Sequence, residues 1–108
     1  MSIALASDVD VLERIGTALA DPTRRRILTM LLDSPAYPAE LADVLNVSRA
    51  NMSNHLACLR GCGLVTATRE GRQVRYELAD QRLAGALREL ARVVLDSPAC
   101  PAHLEPGP

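Results

Sequence analysis

Apolar residues recur every three or four positions through the first half of the chain, then at every second position, then again at helical spacing. Ser7 followed by Asp10 opens a first helix whose apolar positions Leu12, Ile15 and Leu19 share one face. Asp21-Pro22 supplies an N-cap and a first-turn proline for a second helix carrying Ile27, Leu28, Leu31 and Leu32, and Ser34-Pro35 closes it. A short third helix from about Pro38 to Leu45 turns Leu41, Ala42 and Leu45 inward. Asn46-Val47 makes a tight corner, Ser48 caps a fourth helix reaching about Cys62, and Gly61 and Gly63 stop it.

The period then drops to two. Val65 and Ala67 share one face of a strand, Val74, Tyr76 and Leu78 one face of the next, with Glu70-Gly71 as the hairpin tip. Asp80 caps a last helix with Leu83, Leu87, Leu90 and Val94 close to a heptad seam, a pattern that suits pairing with a second copy. The predicted fold is mainly α with a β-hairpin wing, in the order α-α-α-α-β-β-α: a winged helix-turn-helix. Residues 1–95 form its DNA-binding and dimerisation domain, and 96–108, with four prolines, form an extended tail.

Composition narrows the function classes. A chain of 108 residues, 48% hydrophobic and 23% charged, is one folding domain. It has no apolar run long enough for a membrane span, and its start lacks a basic and apolar leader, so a cytoplasmic protein without membrane association is expected. No Phe or Trp and only two Tyr argue against stacking on single-stranded nucleic acid. The formal net charge of −1 hides an uneven distribution. Residues 48–75 hold five Arg against Glu70 alone, +4, while the remainder carries −5. Positive charge is therefore concentrated on the predicted fourth helix and wing, the footprint of duplex binding.

Ser48, Arg49, Asn51, Ser53, Asn54 and His55 are the candidate DNA-contacting groups of the fourth helix, and Arg69, Arg72, Gln73 and Arg75 those of the wing. Asn reads adenine and Arg reads guanine in the major groove, while Ser positions on phosphate. Arg24-Arg25-Arg26 either reaches phosphate or is solvated and paired with Asp21 or Asp33.

Three cysteines are an odd number in a chain without an export signal, which points to reduced thiols. Cys58 and Cys62 are one helical turn apart on a stripe with Asn51 and His55, separate from the apolar stripe Met52, Leu56 and Leu59. Two thiolates so placed can close on one soft metal; the alternative is two small buried residues at a helix edge. Cys100 follows Leu95 by five residues, a reach of about 17 Å, enough to approach the fourth helix of a partner copy. Three thiolates favour Cd(II), Pb(II) or As(III), with His103 and Glu105 as spare tail donors. Oxidation of the same thiols is a rival trigger. A thiol enzyme would need an acid/base partner, and only His55 is near; a protein-binding module would leave the basic segment unexplained. No small organic substrate is expected.

Residues 18–32 (ALADPTRRRILTMLL), 40–65 (ELADVLNVSRANMSNHLACLRGCGLV) and 69–78 (REGRQVRYEL) resemble the ArsR/SmtB metalloregulators, bacterial winged-helix repressors, over about residues 8–95. HLACLRGCGLV with a tail cysteine is similar to the CmtR-like branch, which senses Cd(II) and Pb(II). The resemblance implies a homodimer that binds its operator when apo and leaves it when metal binds. It also implies that Cys58, Cys62 and the partner's Cys100 are the ligands. The family's third-helix cysteine motif is ELADVLN here, without cysteine. Asp80-Gln81-Arg82 and Arg92 stand where its last-helix zinc site would need histidines, so neither of those sites is implied.

Overall fold

The computed structural model describes the backbone of residues 2–96 and the side chains of residues 8–93. The elements are α1 (Ser2–Leu19), α2 (Pro22–Leu31), α3 (Pro38–Leu45), α4 (Arg49–Gly61), β1 (Val65–Glu70), β2 (Gln73–Leu78) and α5 (Gln81–Asp96). This is the predicted winged helix-turn-helix order. The Pro-rich tail and Cys100 lie outside the described residues.

Local chemistry explains most boundaries. The Asp21 carboxylate accepts from Arg24 N at 2.9 Å, and Pro22 opens α2. Asn46, left-handed at φ 56°, ends α3, and three residues later the chain re-enters a helix with Ser48 Oγ accepting from Asn51 N at 3.1 Å. Asp80 accepts from Arg82 N at 2.8 Å at the start of α5, and the Arg82 guanidinium on the same carboxylate holds its pKa down to about 2.

Three features differ from the sequence expectation. Helix α1 starts at Ser2 rather than Ser7, because Ala4, Leu5 and Ala6 are good helix formers and nothing at Ser7 breaks the run. The hairpin tip is Gly71-Arg72, one residue later than Glu70-Gly71, since Glu70 pairs with Gln73. Gly71 takes φ 63° there, as the first loop residue of a type II′ turn requires. Lastly, Ala36 joins the sheet as an isolated bridge: its N–H donates to Tyr76 O at 3.0 Å and its carbonyl accepts from Tyr76 N at 2.8 Å. The wing is thereby anchored to the segment before α3.

The end of α1 has no basic residue of its own in its last turn. Arg24 and Arg25 supply that charge from α2. Arg24 donates to Thr17 O at 2.8 Å and Ala18 O at 3.1 Å, and Arg25 to Leu19 O at 2.8 Å. These carbonyls have no partner within their own helix, and the macrodipole is negative there. Two arginines of the triplet thus cap the end of α1, the half-buried Arg24 and the exposed Arg25, a role other than either one expected of them.

Ile27, Leu41, Met52, Leu56 and Leu59 are the largest fully buried side chains, and among the described residues no polar side chain is buried with them. The same wheel leaves apolar groups bare elsewhere. Val9, Val11 and Leu12 on α1 and Leu90 and Val93 on α5 are exposed, while Leu83 and Leu87, the nearer half of the α5 seam, are half-buried.

On α3 the two faces make opposite predictions. Leu41→Ala, at 0% exposure, lowers unfolding free energy by about 2–5 kcal/mol, whereas Val44→Ala, 62% exposed three residues later, costs far less. Urea denaturation of both variants checks this; equal losses would contradict the packing.

Candidate nucleic-acid interface and thiol pair

Helix α4 presents side chains in three different environments. Met52, Leu56 and Leu59 are buried against the core. Ser48, at its N-cap, and Arg49, Asn51, Ser53 and Asn54 are exposed. His55, Cys58 and the C-cap residue Cys62 are half-buried, on the same side of the helix as the exposed Asn51. His55 differs from the other polar candidates: its side chain is only 21% exposed, and Nδ1 lies 3.7 Å from Asp21 Oδ2. The distance is that of an ion pair when the ring is protonated, and too long for a hydrogen bond. The sequence placed His55 with the DNA-contacting groups; the structure turns it toward the start of α2.

The wing separates its charges. Arg69, Arg72 and Gln73 are exposed around the tip. Arg75 is half-buried, its Nε 2.9 Å from Glu70 Oε2 at an angle too oblique for a hydrogen bond. The Tyr37 hydroxyl donates to the other Glu70 oxygen at 2.7 Å. Tyr37 loses its proton less readily than an ordinary phenol because that hydrogen bond holds it. Glu70, the single acid of the basic segment, is therefore neutralised by Arg75 and tied to the N-cap of α3. Arg49, Arg60, Arg69 and Arg72 make no ion pair among the described residues. Sequence reasoning did not find Tyr37, which lies 33 positions from its partner.

Cys58 and Cys62 are free thiols. They stand one helical turn apart, and Cys62 packs on the core. Burial, then the neighbouring Cys58, pushes the Cys62 thiol above the ordinary range, with Arg24 and Arg14 acting in the opposite direction. The donor set fits a soft cation: two adjacent sulfurs, partly screened from water, that surrender protons on ligation. Among the described residues no group of three His, Cys, Asp or Glu side chains converges, so the pair needs a donor from elsewhere.

Comparison with known proteins gives consistent findings. The family model described as "Bacterial regulatory protein, arsR family" matches residues 21–67. The HTH-type transcriptional regulator CmtR of Mycobacterium tuberculosis is 67% identical over 84 residues, 78% of this chain and 71% of the relative. The NMR structure of the cadmium metal-sensor CmtR from that organism superposes with a TM-score of 0.64 at 62% identity, covering 82% of this chain and 96% of that one. The homodimeric winged helix-turn-helix DNA-binding domain of Mb0332 from Mycobacterium bovis gives 0.76 at 33% identity, covering 84% and 83%.

The raised Cys62 thiol has a direct consequence. Metal-free protein alkylated with iodoacetamide shows Cys62 reacting more slowly than free cysteine at neutral pH, with its rate still climbing where free cysteine levels off. Peptide mass spectrometry across pH checks this, and a Cys62 that outpaces free cysteine at pH 7 would contradict it.

Proposed function

The chain belongs to the ArsR family of bacterial regulatory proteins, and on that footing we propose that it is a metal-responsive transcriptional repressor whose apo dimer holds operator DNA and releases it when Cd(II) or Pb(II) binds. Its relatives are transcriptional regulators and not enzymes. The carrying observation is that the thiol pair and the exposed polar stripe share α4. A ligand that fastens Cys58 and Cys62 therefore acts on the element that would enter the major groove.

Ser48, Arg49, Asn51, Ser53 and Asn54 meet the duplex from α4, and Arg69, Arg72 and Gln73 from the wing, where Arg75 supports the tip through Glu70. The bare apolar residues of α1 and α5 pair with those of a second copy, as the homodimeric neighbour supports. In that dimer Cys100 of the partner subunit's tail completes a three-thiolate site with Cys58 and Cys62. When bound, the metal supplies a bridge between the two protomers. The chain's own part is to lose thiol protons, hold the sulfurs together and transmit the added constraint along α4. Release requires that metal bind the free and DNA-bound forms unequally, a coupling of about 1–3 kcal/mol in typical cases.

Two free thiols one helical turn apart also suit a second trigger, As(III) or oxidation, on the same cysteines. Cd(II), Pb(II), arsenite and peroxide applied to one operator complex separate the two.

Cys58→Ser and Cys62→Ser are expected to bind the operator nearly as the native protein does and to ignore Cd(II). Fluorescence anisotropy on labelled duplex checks both properties. Loss of operator binding in both variants would make the cysteines structural.

A further inference from the structure

His55 precedes Cys58 by three residues and Cys62 by seven, so helical geometry sets all three along one face of α4. Against this face stands the corner between α1 and α2. Asp21 Oδ2 is 3.7 Å from His55 Nδ1 and 2.9 Å from the Arg24 N–H it caps. The Arg24 guanidinium in turn holds Thr17 O and Ala18 O in the last turn of α1. A continuous run of polar contacts thus leads from the thiol face of α4 to the end of α1, the helix that carries Val9, Val11 and Leu12 bare on its surface.

Among the described residues the His55–Asp21 contact is the one ion pair or side-chain hydrogen bond that joins α4 to another element. Among the described residues the helix is otherwise held chiefly by burial of Met52, Leu56 and Leu59, with Cys62 packed at its end. Apolar burial is non-directional: it keeps α4 against the core and adds no polar link to a neighbouring element. The His55–Asp21 contact lies at the rim of the stripe, where it bears on the roll.

We propose that His55 is a positioning residue, and that its contact with Asp21 couples occupancy of the Cys58–Cys62 pair to the attitude of the DNA-contacting residues of α4. This rests on the metal-responsive reading above. When the two sulfurs are drawn to a donor outside their own helix, the face they share with His55 turns. The contact at Asp21 either turns with it or breaks, and the N-terminal half of α4, from Ser48 to Asn54, moves relative to the α1–α2 corner.

The test is a double-mutant cycle on the reduced full chain with His55→Gln, Asp21→Asn and the double variant. Asn caps a helix about as well as Asp, so α2 is preserved in the second variant. Operator affinity is measured by anisotropy with and without Cd(II), and Cd–thiolate formation by its ultraviolet charge-transfer band. Each single variant is expected to bind Cd(II) with native stoichiometry and metal-free operator nearly as the native protein does. The ratio of apo to Cd-loaded operator affinity should fall by about fivefold or more in each, and no further in the double variant. A ratio within about twofold of native in both single variants overturns the proposal. So does loss of the charge-transfer band in His55→Gln, which would make His55 a ligand. If the native complex ignores Cd(II), the metal-responsive reading itself fails, whereas a native complex that dissociates beside unaltered variants refutes only the coupling.

Discussion

Burial of Met52, Leu56 and Leu59 along one side of α4 decides what the remainder of that helix can do. With an apolar stripe locked to the core, a helix has two flanks left, and here the two are chemically unlike. One is a row of short polar groups and an arginine fit for a groove of DNA; the other is His55 with two thiols. Because both flanks are carried by α4 and its C-cap residue Cys62, a change at either is passed to the other.

The wing applies a similar economy to charge. A lone acid in a basic segment would repel phosphate if it faced the duplex, yet Glu70 is occupied on both oxygens, by Tyr37 and by Arg75. The result is a hairpin tip whose unpaired charges, Arg69 and Arg72, are all positive. The Ala36–Tyr76 bridge fixes the base of the same hairpin, so the tip is held from both ends. Elsewhere in the domain, Arg24 and Arg25 donate to the last carbonyls of α1, which engages two of the three arginines of the triplet within the chain.

The fold was legible where local chemistry decides it. Asp21-Pro22, Ser48 and Asp80 each signal a helix start through a cap that needs only neighbouring residues, and the switch of apolar period to two marks the wing. The thiol spacing was legible for the same reason. What escaped the sequence is long-range. Tyr37 meeting Glu70, Ala36 bridging Tyr76 and Arg24 reaching back to α1 all depend on how finished elements lie together. His55 shows the limit most clearly: the wheel puts it among polar neighbours, and only the position of α2 reveals that it faces Asp21. The hairpin tip lies one residue later than expected because a primed two-residue turn needs φ > 0 at its first loop residue, which Gly71 supplies and Glu70 does not, and Glu70 pairs with Gln73 instead.

The account stands on the thiol pair of α4 governing whether the winged helix stays on DNA. The most direct measurement is anisotropy of the reduced protein on labelled duplex from its own upstream region, titrated with Cd(II). A complex that forms without metal and dissociates near one Cd(II) per protomer is the predicted result. A complex that forms and persists through excess Cd(II) would contradict it.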